Sequence, residues 1–253
     1  MNYINKELSK KILTIAPSKN EFGGMSAVLL TYDRYFENFR YIPSFRRGGA
    51  PVKIWYTFQA IVRCFFAFLF CWKIRIVHIH GSVKGSVYRK VIFIIMAKIF
   101  GKKVVYHQHG GEFQAFFDTC AYKKQLVNII NRCDNLIVLS HSWKEYYMSI
   151  GVSEQIIIVL NNIVIPPASI PERHTDGKLH LLYLGEIKSA KGIYDLLNVL
   201  AENKEVFKDK IILRVGGIVV EGDINAFIAE KELSSFVQFD GWVSGHQKTE
   251  CLE

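Results

Sequence analysis

Residues 75–109 read RIVHIHGSVKGSVYRKVIFIIMAKIFGKKVVYHQH. The run over 75–80 is short, apolar and β-branched, which predicts a buried strand. Residues 84–100 predict a strongly apolar helix, and 103–109 a second strand. Strands joined through a helix in this way lie parallel in one sheet covered on both faces.

The alternation continues in both directions. Upstream, 11–16 (KILTIA) predicts a strand, 17–24 a loop and about 25–36 a helix. A segment with Pro43, Arg46, Arg47, Gly48 and Gly49 reads as loop, and 53–73 as an apolar helix. Downstream, 123–132 predicts helix and 135–140 (NLIVLS) strand. A helix over 142–150 follows, capped by Ser142 and ended by Gly151, and then a strand over 155–160 (QIIIVL). Residues 161–178 break the pattern with Pro166, Pro167, Pro171 and Gly177. We read 166–177 as a linker between a domain over 1–165 and a second over 178–253. The second restarts the alternation: strand 179–184, helix 193–201, strand 211–215, helix 224–230, strand 236–239. Three strands are fewer than an open sheet of this kind usually has. The fold class expected is α/β, with a Rossmann-like first domain and an incomplete Rossmann-like second domain.

Hydrophobic residues make up 50% of the 253 and charged residues 22%, a core-forming balance that excludes a disordered chain. The net charge of +9 is uneven: residues 1–177 carry 23 Lys and Arg against 11 Asp and Glu, while 178–253 carry 9 against 12. A basic first half attracts phosphates, nucleic acid or anionic lipid. No helix-turn-helix, RNP or zinc-finger pattern accompanies it, so no nucleic-acid partner is expected. The five cysteines form no CxxC pair and read as reduced thiols of a cytoplasmic chain, and no signal peptide is read. The apolar stretch over 54–72 is interrupted by Arg63, which favours a helix lying on a membrane surface over one spanning it. Core filling by Phe65, Phe66, Phe68 and Phe70 accounts for the same stretch.

Several strand ends carry residues suited to a ligand. Gly23-Gly24 precede the first long helix, where exposed amides favour a phosphate, although as an isolated motif a tight turn explains them better. His107 and His109 end one strand and are followed by Gly110-Gly111; His78 and His80 end another. A histidine at such an edge can bind a sugar hydroxyl or move a proton. We assign that role to His109, a structural one to His78 and His80, and no metal to the set. Leu184–Gly192 (LGEIKSAKG) enters a helix with Lys191 at its start, a place that suits a diphosphate leaving group. Gly216-Gly217 and the segment 239–243 (FDGWV) follow the next two strands.

Taken in order, these stretches resemble the family-4 glycosyltransferases of the GT-B fold over nearly the whole chain. The resemblance rests on Gly23-Gly24, His109-Gly110, 136–140 (LIVLS), 159–162 (VLNN), Gly185 through Lys191-Gly192, 215–217 (VGG) and 239–243. It implies two Rossmann-like domains and a retaining hexosyl transfer from a UDP- or GDP-sugar, without metal or other cofactor. It further implies that Gly23 and Gly24 approach the donor phosphate and that His109 contacts the transferred sugar. Lys191 would stabilise the departing diphosphate beside Gly185, with Gly216 and Trp242 near the base. A lipid-linked or glycan acceptor at the inner face of the cell membrane follows, in capsule or O-antigen assembly. Two departures stand out. Glu186 occupies the place of the family's arginine, and the family's pair of glutamates with seven residues between them is absent beyond Trp242, since Glu250 and Glu253 have the wrong spacing. The expectation is therefore a C-terminally truncated member, with an inactive remnant that binds only membrane or acceptor as the alternative.

Overall fold

The computed structural model describes residues 4–21, 23–164, 176–243 and 245–252. The chain divides into two compact units, Met1–Pro166 and Pro167–Glu253. Residues 166–175 of the expected linker lie outside the described residues.

The first unit contains α1 (Lys6–Ser9), β1 (Ile12–Ala16), α2 (Gly24–Asp33), β2 (Tyr41–Pro43), α3 (Ala50–Phe70), β3 (Ile76–Gly81) and α4 (Gly85–Ile99). It continues with β4 (Lys103–Gln108), α5 (Phe113–Thr119), α6 (Lys123–Ile130), β5 (Asn135–Val138), α7 (His141–Ser149) and β6 (Ile157–Val159). The six strands form one sheet in the order β2-β1-β3-β4-β5-β6, every pairing parallel. Side chains alternate between the faces of a strand, so register decides which residues share a face. Leu13, Val77 and Val104 lie in one row, and Ile15, Ile79, Tyr106 and Leu136 in the next; all are buried in a single apolar core. The opposite face differs. There Thr14 pairs with His78 and His80 with His107, so buried polar groups occupy positions that would ordinarily hold aliphatic ones.

The structure corrects the sequence reading at three places. The segment around Pro43, read as loop, contains the edge strand β2. Only Ile42 is buried there, so no periodicity announced it, and an edge strand tolerates proline. Residues 113–119 form α5, which buries Phe113, Phe116 and Phe117. The cap of α7 is Ser140, whose side chain accepts from the Trp143 amide at 3.3 Å, not Ser142.

Helix α3 is the one helix among the described residues that is long and apolar enough to cross a membrane by length and composition. It commits a single stripe to the core, Ala60, Cys64 and Phe68, spaced four residues apart. Ile54, Trp55, Phe58, Phe66 and Phe70 are exposed, Ile54 and Phe70 at 68% each.

The second unit contains β7 (Leu179–Leu184), α8 (Ile193–Glu202), α9 (Lys204–Phe207), β8 (Ile211–Gly216), α10 (Ile224–Glu230), β9 (Val237–Gly241) and α11 (Gly245–Leu252). Its sheet is parallel in the order β7-β8-β9. Leu197, Leu213, Val215, Ile224 and Leu233 belong to a core cluster of its own. Asp223 caps α10 by accepting from the Asn225 and Ala226 amides at 3.0 and 3.1 Å. Gly217 is forced by close approach: a Cβ there would stand 1.7 Å from the Gly185 carbonyl oxygen. Backbone, not a flexible side chain, is the obstacle. Gly217→Ala is therefore expected to destabilise the second unit by about 3 kcal/mol or more, measured by urea denaturation. A shift within about 0.5 kcal/mol, the range of ordinary surface changes, would show that the strand ends separate freely.

Candidate functional site

At the carboxyl end of β3 and β4 four imidazoles stack together. Ring centroids are 4.2 Å apart for His78 and His80, 4.0 Å for His107 and His109, and 5.1 Å for His80 and His109. Tyr32 of α2 meets His78, His80 and His107 edge-on. His80 Nδ1 and His109 Nε2 share a hydrogen bond of 2.9 Å, which leaves His109 Nδ1 as the ring nitrogen available to a ligand. Burial holds the imidazolium form off all four rings. It lowers His109 to about 4 and, with the neighbouring His109, lowers His78 to about 3; His80 and His107 are also lowered, chiefly by burial. At neutral pH the cluster is uncharged and each ring can donate or accept one hydrogen bond. His78 Nε2, His80 Nε2 and both nitrogens of His107 are buried without a partner. One ring nitrogen from each of His78, His80 and His107 lies within 4.8 Å of the others, so this all-imidazole trio is the set among the described residues able to hold a metal ion.

The loops after these strands are fixed by packing. Gln108 accepts from the Tyr106 hydroxyl at 2.8 Å and donates to the Ser82 carbonyl at 2.7 Å, tying the ends of β4 and β3 together. A Cβ at Gly110 would stand 2.5 Å from Val83 Cγ1, which explains the glycine after His109.

Beside the ends of β1 and β3 lies a cavity of about 540 Å³. Gly23, Met25 and Ser26 line it from the start of α2, and Gly85 and Ser86 from the start of α4. Neither helix has a side-chain cap. The residues before them are held in unusual backbone, Gly23 at φ 135° and Lys84 at φ 53°. Arg47, Lys53, Arg89 and Lys90 add cationic side chains. Glu21 is the acidic residue of the lining and pairs with Arg47 at 3.7 Å. Lys90 is 1% exposed and donates to the Ser44 hydroxyl; burial, with Arg89 beside it, lowers its pKa to about 7.

In the second unit, β7 is followed by Gly185, whose amide donates to the Gly216 carbonyl at 3.0 Å. Glu186 pairs with Lys188 at 2.9 Å. Glu221 accepts from the Ser189 amide and hydroxyl at 2.9 and 3.0 Å, closing one side of the turn 189–191. Lys191 ends that turn, exposed, and no carboxylate among the described residues pairs with it. Gly192, at φ 74°, then starts α8 without a side-chain cap. A Cβ at Gly216 would meet Val243 at 2.7 Å and Leu184 at 2.8 Å, so this glycine serves strand-end packing. Trp242 is 44% exposed just beyond β9, where Asp240 accepts from Arg214 at 2.9 Å.

Of the residues singled out in the sequence, Gly23 lines the cavity with Gly24 next to it, and His109 joins the imidazole cluster. Gly185 and Gly216 meet at adjacent strand ends, and Lys191 stands at the head of α8. Sequence reasoning took Lys53, Arg89 and Lys90 only as part of the basic and apolar bands suited to an anionic membrane, not as the lining of one cavity. The signal was present for Lys90, which shares the buried stripe Val87, Lys90, Ile94, Ala97 of α4.

No protein-family model matches the chain, and no curated protein matches it in sequence. Solved structures do match its fold. Anabaena Alr3699/HepE in complex with UDP aligns over 96% of this chain and 72% of its own, with TM-score 0.64 and 14% identity. The apo form of the lipopolysaccharide outer core galactosyltransferase WaaB aligns over 92% and 68%, with TM-score 0.53 and 21% identity. The UDP-GlcNAc 2-epimerase of Methanocaldococcus jannaschii aligns over 95% and 75%, with TM-score 0.54 and 11% identity. The fold is of the GT-B type, with two Rossmann-like units.

Proposed function

We propose that the protein is a glycosyltransferase that moves a hexose from a UDP- or GDP-sugar to a lipid-linked glycan acceptor, as in capsule or O-antigen assembly. The observation that carries this reading is Lys191: an exposed ammonium without a carboxylate partner among the described residues, at a helix start with no side-chain cap, beside the carboxyl edge of a parallel sheet. That is where a diphosphate departing with its charge is best stabilised. The likeness to HepE, solved with UDP, supports a nucleotide-sugar donor. In this reading His109 presents a neutral ring to the transferred sugar and Gly185 lets backbone approach the donor diphosphate, while Gly23 and Gly24 stand at the basic cavity of the first unit. Gly216 and Trp242 border the base. The transfer proceeds with retention and needs no metal.

The test is transfer of radiolabel from a panel of UDP- and GDP-sugars to membrane extract, with and without EDTA. Label in the lipid fraction, insensitive to EDTA, is expected. A C2 epimer, free or nucleotide-linked, as the sole product would replace the reading with that of the epimerases sharing the fold. Donor left intact throughout would favour a chain that binds acceptor or membrane and transfers nothing.

We further propose that the protein rests on the inner leaflet of the cell membrane through α3. Its exposed aromatic and aliphatic residues and the neighbouring Lys53, Arg63 and Lys73 suit an anionic bilayer surface. The protein should float with phosphatidylglycerol vesicles at low salt, and Trp55→Ser with Phe58→Ser should weaken this by about tenfold. Absence of flotation of the unaltered protein at low salt would sink the assignment.

A further inference from the structure

The cavity beside β1 and β3 concentrates features that a structural role does not require. Two helices of ten and fifteen residues, α2 and α4, start on it without side-chain caps. Free amides at a helix start favour an anion; α2 offers them, whereas at the start of α4 the Ser86 and Val87 amides donate to the Val83 and Lys84 carbonyls at 3.1 and 3.0 Å. Lys53, Arg89 and Lys90 line the same space, and no carboxylate among the described residues pairs with any of them. Arg89 lies over the Phe45 ring at 4.7 Å, and its Nε is buried with no hydrogen-bond partner. Lys90 is fully enclosed, with a hydroxyl as its hydrogen-bond partner. A buried cation without a counter-charge is costly, and a fold keeps one where a ligand supplies the missing charge.

We infer that this cavity binds the diphosphate of a hydrocarbon-chain diphosphate ester, the lipid end of the acceptor. The word acceptor rests on the transferase reading above; the binding site itself does not. The amides at the start of α2 and three cations match a group with several anionic oxygens. The lipid is indicated by Lys53. It lies near the start of α3, where the neighbouring Ile54, Trp55 and Phe58 are exposed, so the cationic cavity adjoins an apolar surface. A diphosphate held there has a place for its hydrocarbon chain, which a nucleotide does not need.

Binding is measured on the full chain with farnesyl diphosphate as probe, with inorganic diphosphate, farnesol and UDP as competitors. Arg89→Gln and Lys53→Gln should each weaken farnesyl diphosphate by about tenfold or more, with unchanged thermal melts. Inorganic diphosphate should compete, farnesol should not, and UDP affinity should be the same in both variants. Lys53 is exposed, so its variant folds even where Arg89→Gln fails to. Unchanged affinity for farnesyl diphosphate in Lys53→Gln and in folded Arg89→Gln would overturn the inference. So would UDP displacing the probe and weakening in parallel, since the cavity would then hold the donor's diphosphate. Failure of every nucleotide-sugar in the transfer assay, with farnesyl diphosphate still bound through Lys53 and Arg89, would remove the transferase reading and leave this site standing.

Discussion

Lys90→Met raises the stability of the first unit at pH 7 by about 3 kcal/mol. The lysine of the folded protein titrates at about 7, against about 10.4 in an unfolded chain. Between those values the unfolded chain holds a proton that the folded one has released. Stability therefore rises with pH across this window, and the penalty is complete below it. At pH 7 the linkage costs about 4 kcal/mol, from which about 1 kcal/mol is regained by the hydrogen bond to Ser44. Methionine fills a similar volume and removes both effects. Burial sets this balance first; Arg89 lowers the value further and the Cys64 thiol of α3 raises it, while Arg47, Lys53 and Glu21 are the other charged groups of the cavity lining. Urea denaturation at pH 7 and 9.5 checks the prediction. The advantage of the variant should shrink to about 1 kcal/mol or less at the higher pH. Equal destabilisation at both would mean a lysine that stays charged and paired in the fold. The variant should also bind farnesyl diphosphate less well, so stability and ligand binding move in opposite directions.

Lys191→Ala lowers kcat/KM for sugar transfer by about a hundredfold to a thousandfold, the cost of losing one preorganised charge at a leaving group. Most of the loss should fall on kcat, because the negative charge on the diphosphate grows as the glycosidic bond breaks. Lys191→Arg should keep part of the rate, since a cation remains at the head of α8. Lys188 cannot substitute, because Glu186 already engages it at 2.9 Å. Radiolabelled transfer under saturating donor separates the two constants. Unchanged turnover in Lys191→Ala would place the leaving-group contact elsewhere in the chain.

Much of the fold was legible because its strands are continuous apolar runs with clear ends. Residues 179–184 form β7 as read, ended by Gly185, and 224–230 form α10 behind the cap Asp223. Strand β2 escaped because three residues with one buried side chain carry no period. The imidazole face was half legible. His78, His80, His107 and His109 alternate in the sequence, but only the β3–β4 register puts His80 against His107. The cavity was the least legible feature. A count of positive charges shows an excess without showing which of them the fold encloses. Lys90 was detectable as a lysine on the apolar stripe of α4, whereas Lys53 of α3 is exposed and Arg89 of α4 half-buried, off the buried stripes of their helices.

Each unit packs its own cluster of side chains, with Leu136 and Val77 in one and Leu213 and Leu197 in the other. Hereditary change can therefore work on one half while the other keeps its packing. A lineage can drift or recombine in the portion after residue 178 while the portion with the basic cavity and the apolar helix keeps its own packing. Relatives of this chain should accordingly diverge at different speeds in their two halves.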